Sequence, residues 1–513
     1  MVIKMYIYDC LYGKMEFNKK VIRCILTPEM QRLREVRLGN INSLFLTGSA
    51  NINRFEHSVG TAYLATINEN ANKKAFSKHE KEAFIFAALF HDLANGPFGH
   101  SYEYIVEKQG FIPEKGLADV LLGRRSGAHG KVAKYEPFFL GESNEIGTIL
   151  DKEEILLIDE IVRGDNTVCS KVLSDIIDID NIDNVYRMAY HMGIEIDKKT
   201  PIELSKGIIC KKNKIYFKET AVPYIYDWYD VRSKVYTLLL YNTEDFAAKC
   251  MLSEVIDLVM EKDPLSIKWY YTDNQLISVL RSMDELWEDK YSIVGENDKI
   301  GLKPIDESKI SDRYIRDVLK EFDITIPENA NITYDICGGK INISFYNTHY
   351  SIYKNRLYKR ERLCIDPSNI ITRLMRGDLY DCIGIFITSQ IDKKQLLLDK
   401  NERRKIEDEC NYLVEKNVGI RLKIGIHAIV DQNKTNRKVE VSLESGECFS
   451  IGKNSNLILI GAFIKNAQFG LAQKKKLSKQ KKETVRSLLI DYFLSIGIGV
   501  TNYPLYKEAD AIE

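Results

Sequence analysis

The chain has no CxxC pair. Its ten cysteines are scattered from Cys10 to Cys448, which argues against a zinc ribbon or a disulfide framework and leaves most of them as expected buried thiols. It has no apolar run of about 18 residues, and "MVIKMYIYDC" lacks a basic start leading into a long apolar region. Neither a transmembrane span nor a secretory signal is expected, and the cytoplasm is the default compartment. Net charge is also missing: 73 Lys and Arg stand against 73 Asp and Glu, so no overall basic field favours nucleic acid as a partner. Internal repeats and low-complexity segments are absent from the sequence.

What is present is a long chain of ordinary globular composition. At 513 residues, with 45% apolar and 28% charged, it folds into more than one lobe and is large enough to bury a site. Apolar residues at three- and four-residue spacing, as in "KHEKEAFIFAALFHDL" and "EDFAAKCMLSEVIDLVME", predict helices over roughly the first 260 residues. The strands expected there are "VIKMYIYD" and a hairpin in "GIICKKNKIYFK". From about residue 325 the texture changes to β-formers between Gly and Asn turns, as in "NITYDICGGKINISFYN" and "CIGIFITSQ". The expected fold class is therefore mainly α, with a helical domain over 1–325 and a C-terminal α/β lobe over 326–513 serving regulation or assembly. The basic run at 474–482 reads as a solvated face ahead of an amphipathic helix, with a phosphate or nucleic-acid contact as the alternative.

The chemistry concentrates in three helical segments. "NRFEHSVGTAYLA" holds His57, "FHDLANGPFGHS" holds His91 and Asp92 where a buried helix meets a Gly-Pro break, and "DIIDIDNIDNVYRMAYHMG" holds Asp180. Two imidazoles and two carboxylates suit a divalent ion of the Mn, Fe or Zn type and leave positions open for water and substrate. On the third segment Asp180, Asp183, Asn184, Arg187 and His191 recur every three or four residues, a polar stripe opposite Ile182, Val185 and Met192. Asp183 and Arg187 read as an i,i+4 ion pair that orders the helix.

H, then HD, then a distant D resembles the ligand order of the HD-domain phosphohydrolases. With "TPEMQRLREVRLGN" ahead of these segments, the match is to the dNTP triphosphohydrolase branch, which includes the bacterial dGTPases and the sterile-alpha-motif and HD-domain enzymes. The likeness covers about residues 20–260 and implies a helical HD core. It implies His57, His91, Asp92 and Asp180 as ligands of a divalent metal (Mn, Fe, Mg or Zn), and Arg54, Gln31, Arg32 and Arg232 near the nucleotide. Hydrolysis of a deoxynucleoside triphosphate to nucleoside and triphosphate follows from it, as do a homo-oligomer, nucleotide activators, and a place in nucleotide-pool control that includes antiviral defence. His100 matches a histidine closing the "GPFxH" turn.

The sequence also departs from the family. Asn95 stands where these enzymes usually have a histidine thought to act as acid or nucleophile, and an amide cannot exchange a proton near neutral pH. His129 is the available counterpart of a second family histidine. Asn184 and Leu240 or Tyr241 take the places of substrate-touching tyrosines, and Leu26 replaces an aspartate that reads an allosteric guanine in the vertebrate enzyme. Two other readings stay open: a phosphodiesterase or nuclease on cyclic nucleotide or single-stranded nucleic acid, and a weakly active nucleotide-binding sensor.

Overall fold

The computed structural model describes residues 5–39, 52–99, 117–118, 120–122, 145–165, 168–175, 177–211, 214–263, 267–268, 270–297, 310–337, 339–431, 434–454, 456–465 and 477–503. The chain opens with a hairpin, β1 (Met5–Asp9) and β2 (Gly13–Phe17), whose turn is held by Asp9 Oδ1 accepting from the amides of Leu11 and Tyr12, each at 2.9 Å. Helices α1 (Lys19–Ile25) and α2 (Pro28–Arg32) follow. Next come α3 (Arg54–Ala71) and α4 (Lys78–Phe90); Asn53 caps the first, and Ser77 with Glu80 closes a capping box on the second.

Helix α3 is buried on nearly every side and packs against α4 and, past α5 (Lys152–Arg163) in the chain, against α6 (Ile179–Met192). A helix enclosed all round is ordinarily apolar. This one instead buries Arg54, His57, Ser58, Thr61 and Asn68, so its polar groups need partners inside the protein. Asn68 Nδ2 donates to the carbonyls of Ser205 at 2.7 Å and Ile208 at 3.1 Å, fastening α3 to the expected hairpin, β3 (Ile208–Lys211) with β4 (Lys214–Phe217). Of the others, Arg54 meets Asp92 beyond α4, Thr61 Oγ1 returns to the His57 carbonyl, and His57 faces α6. That helix begins at Asp178, whose side chain accepts from Asn181 N, and stops at Gly193 in the left-handed conformation.

Long helices α7 (Val222–Tyr241) and α8 (Thr243–Lys262), then α9 (Asp273–Arg281), complete the helical part. Beyond them, among the described residues, lie a five-stranded and a four-stranded antiparallel sheet and the antiparallel pair β12 (Val439–Ser442) with β13 (Cys448–Ile451). One has five strands in the order β5 (Leu286–Glu296), β9 (Arg356–Ile365), β8 (Thr348–Tyr353), β7 (Lys340–Phe345) and β6 (Ile332–Cys337). Its edge strand β5 thus comes from ahead of residue 325, recruited by pairing with β9 from Leu286 opposite Ile365 to Glu296 opposite Arg356.

The second sheet runs β11 (Ile424–Val430), β14 (Ile458–Ile464), β10 (Asp381–Thr388), β15 (Thr501–Asn502). Alternation along β14 sends Ile458, Ile460 and Ala462 to a core shared with α10 (Lys400–Val418) and α11 (Lys479–Ser495), while Leu459 and Phe463 join the core of the helical part. Phe463 meets Phe246 of α8 with ring centroids 5.7 Å apart. The mainly α class with strands in the C-terminal part agrees with the reading of the sequence, and no helix among the described residues is long and apolar enough to cross a membrane. Lys479 and Lys481 at the start of α11 are exposed and Lys482 pairs with Asp381 at 2.6 Å; residues 474–476 of the basic run lie outside the described set.

Candidate metal centre

His57 sits one turn into α3, His91 follows directly on the last residue of α4, and Asp180 is in the first turn of α6. Packing of the three helices brings their polar atoms to one point. His57 Nε2 is 2.9 Å from Asp180 Oδ1, 3.2 Å from His91 Nε2 and 3.7 Å from Asp92 Oδ2. His91 Nε2 lies 3.5 Å from both carboxylates.

The far side of each ring sets its tautomer. His91 Nδ1 donates to the Ala88 carbonyl at 2.9 Å and His57 Nδ1 donates to Asp183 Oδ1 at 2.8 Å, so both neutral rings turn an Nε2 lone pair toward the same place. Donors bound ~2.1 Å from one ion stand ~3.0 to ~3.4 Å apart at octahedral or tetrahedral angles, and the spacings found, 2.9 to 3.7 Å, lie around that range. The residues fit a divalent metal: two carboxylates balance its charge, and the two rings hold each other's lone pairs too close to be stable without a cation or proton between them. The same field retains protons. Burial opposes the charge on His57, yet the Asp180 and Asp183 hydrogen bonds prevail and hold its pKa at about 10. Burial likewise works against the Asp92 carboxylate, but Arg54, His91 and His57 bring it down to about 2. A metal ion must displace those protons.

Behind the ligands is a second layer of charge. Asp183 is fully buried and accepts four hydrogen bonds: His57 Nδ1, Arg187 Nε at 2.9 Å, Arg187 Nη2 at 3.0 Å and Tyr12 Oη at 2.7 Å. Arg187 Nη1 continues to Asp9 at 2.9 Å. The expected i,i+4 pair is present and also orients the His57 ring. Asp9 and Tyr12, from the opening hairpin, were missed because no local pattern connects them to α6. Gly60 was missed too. A Cβ there would stand 2.2 Å from Asp183 Oδ2 and 2.3 Å from Arg187 Nη2, so this mid-helix glycine is what admits the pair; its signal was a glycine three residues after His57 inside a strong helix pattern.

The other expected site residues divide. Arg54, 1% exposed, pairs through Nη1 with Asp92 Oδ2 at 2.5 Å, and its Nε and Nη2 have no hydrogen-bond partner among the described residues. Asn184 is one turn beyond Asp180, with Oδ1 buried and unpartnered in the same sense. Asn95 Nδ2 donates to Asp92 Oδ1 at 2.7 Å and so positions that carboxylate. Arg32 donates to the carbonyls of Tyr270, Leu93, Asn95 and Tyr271 at 2.7 to 3.4 Å, which engages its guanidinium with backbone. Gln31 caps α1 through the Ile25 carbonyl at 2.7 Å. Arg232 donates to the Lys434 carbonyl at 2.6 Å, and Tyr241 stacks on Tyr503 at 4.2 Å, so both secure the C-terminal part against α7. His100 and His129 lie outside the described residues.

The turn after His91 is constrained. Phe98 adopts φ 56°, costly for a residue with a Cβ, and is held there by its amide donating to Asp273 Oδ1 at 2.8 Å.

Residues 54–135 match the HD domain family. The chain is 29% identical over 266 residues to deoxynucleoside triphosphate triphosphohydrolase SAMHD1 of Gallus gallus, covering 44% of this chain and 40% of that protein. With the Homo sapiens enzyme of that name the identity is 26% over 268 residues, covering 45% and 40%. The chain therefore spans less than half the length of either relative. In overall fold it is similar to a phosphohydrolase from Bacteroides thetaiotaomicron VPI-5482, with a TM-score of 0.54 at 13% identity, over 90% of this chain and 99% of that one.

Proposed function

We propose that the chain is a metal-dependent phosphohydrolase whose substrate is a deoxynucleoside triphosphate, split into nucleoside and triphosphate. The observation that carries this reading is the convergence of His57, His91, Asp92 and Asp180 on one point, with the free nitrogens of Arg54 beside it. His57, His91, Asp92 and Asp180 would hold a divalent ion, which when bound would supply Lewis-acid charge to a phosphate oxygen. Arg54 neutralises charge developing on the phosphates through Nε and Nη2, and the unpartnered Oδ1 of Asn184 accepts from a substrate hydroxyl. Asp183 keeps His57 in the tautomer that ligation needs, and Asn95 keeps Asp92 turned toward the centre. Protonation of the leaving oxygen falls to a group other than Asn95, and His100 and His129 are the candidates. A homo-oligomer with activating nucleotides belongs to the same reading and is supported by the resemblance alone, as is a cytoplasmic, defensive role.

The test is product analysis by ion-exchange chromatography, with Mn2+ or Mg2+, each dNTP given singly and then all four together. Nucleoside and intact triphosphate above a His91→Ala, Asp92→Ala control are expected. If no phosphate product appears from any combination, the triphosphohydrolase reading fails. Asn95 then favours the second reading, a nucleotide-binding sensor, and Asn95→His should awaken hydrolysis.

A further inference from the structure

A second group of metal-type donors lies on the other side of the Asp183 and Arg187 pair. Cys10 Sγ is 3.6 Å from His191 Nε2, and Glu56 Oε2 is 3.4 Å from the same nitrogen. The three donor atoms all fall within 4.8 Å of one another. We propose that Cys10, Glu56 and His191 form a second metal site, for a borderline ion of the Zn2+ type, separate from the centre built by His57 and His91.

The geometry distinguishes this from a hydrogen-bonded relay. In a nucleophile, histidine and carboxylate chain, the carboxylate holds Nδ1 while the thiol faces Nε2. Here thiol and carboxylate both approach Nε2, which is convergence on a point. With Zn–S ~2.3 Å, Zn–N ~2.05 Å and Zn–O ~2.1 Å, tetrahedral angles put S and N ~3.6 Å apart and N and O ~3.4 Å apart, the two spacings found. A thiolate, a carboxylate and a neutral imidazole balance a dication, and binding releases to solvent the Cys10 thiol proton and the proton that Cys10 and Glu56 help His191 retain.

The donors are pre-positioned. Glu56 Oε1 accepts from Asn53 Nδ2 at 3.2 Å, which leaves Oε2 for the ion. Cys10 sits in the β1–β2 turn, fixed on one side by Asp9 bonding to Arg187 and on the other by Lys198 Nζ donating to the Cys10 carbonyl at 2.9 Å. Arg187 Nη1 stands 3.7 Å from Glu56 Oε2, but its charge is already met by Asp183 and Asp9. Cys10 is exposed and the side chains of His191 and Glu56 are partly so, at 23% and 31%, giving an ion entry and a fourth position open to water. Such an ion would join the opening hairpin to the start of α3 and the end of α6, the two helices that carry His57 and Asp180. The site does not depend on the reaction proposed above.

The experiment titrates metal-free full-length chain with Co2+, recording the thiolate-to-cobalt charge-transfer band and metal content after desalting. The first centre has no sulfur ligand, so the band reports the second site alone. Expected are the band and two bound ions per chain in the wild type, with the band and one ion lost in Cys10→Ser and in His191→Ala. The His91→Ala, Asp92→Ala variant should lose the other ion and keep the band. The remaining ion in Cys10→Ser doubles as the control for folding. Absence of the band at saturating Co2+, or its survival in Cys10→Ser, overturns the proposal.

Discussion

Replacing Asp183 by Asn removes one charge and exchanges one oxygen for an amide, in a place where four donors point at a carboxylate. The amide oxygen can serve His57 Nδ1 and Arg187 Nε; the NH2 then faces Tyr12 Oη, which can turn to accept, and Arg187 Nη2, which cannot. One donor-to-donor contact therefore remains, beside a fully buried guanidinium that has lost its bidentate partner. Breaking a buried pair by removing one member costs about 3–5 kcal/mol. Arg187 keeps Asp9 at 2.9 Å and Glu56 at 3.7 Å, which places the expected loss near the lower bound, ~3 kcal/mol. The same change weakens the anchor of His57, a ligand of the proposed centre, and loss of such an anchor typically lowers metal affinity 10- to 100-fold, on the order of 1.4–2.8 kcal/mol. Urea unfolding followed by circular dichroism in the presence of chelator reads the first effect, and calorimetric Mn2+ titration reads the second. If Asp183→Asn unfolds within about 1 kcal/mol of the wild type, as ordinary surface changes do, and binds Mn2+ with unchanged affinity, the argument for a buried orienting layer is wrong.

Other outcomes follow from the same contacts. Gly60→Ala should mimic Asp183→Asn in both assays, because its methyl occupies the space of Asp183 Oδ2; an unaltered melting temperature would show that the helices separate at little cost. Metal at about 100 times its dissociation constant should stabilise the chain by ~2.7 kcal/mol over the chelated form in scanning calorimetry, and the increment should vanish in His91→Ala, Asp92→Ala if the ion reporting it sits at the first centre. His427 on β11 supplies a pH effect away from both proposed metal sites. Burial, with Arg403, Lys465 and Lys249 nearby, pulls its pKa down to about 3. The folded value lies below the unfolded value of ~6.5, so the unfolded chain takes the proton first. The stability His427 contributes is present above pH ~6.5 and lost as pH falls toward ~3, with a slope of at most ~1.4 kcal/mol per pH unit. Urea midpoints across that window should fall less steeply for His427→Gln, and an identical slope would mean that His427 takes up its proton without resistance.

Much of the centre was legible in one dimension. A histidine inside a helix pattern, a His-Asp pair at a helix end before Gly96-Pro97, and an aspartate in the first turn of a striped helix are local arrangements, set by helix periodicity and by the chain-breaking chemistry of Gly and Pro. The sequence by itself therefore determined the candidate ligands and their places on helices, the i,i+4 pair of Asp183 with Arg187, and the change from helices to strands. Tertiary packing decided what lies behind them. Arg32 spends its donors on carbonyls around residues 93 to 95 and 270 to 271, and Asn95 serves Asp92, because burial obliges each polar group to find whatever partner the fold brings near. Strand β5 joins a sheet whose next strand lies some sixty residues on, a choice made by pairing across that distance. Asp9, Tyr12 and Cys10 reach α3 and α6 because the opening hairpin folds back over them, and periodicity, which relates residues only a few positions apart, carries no record of such a contact.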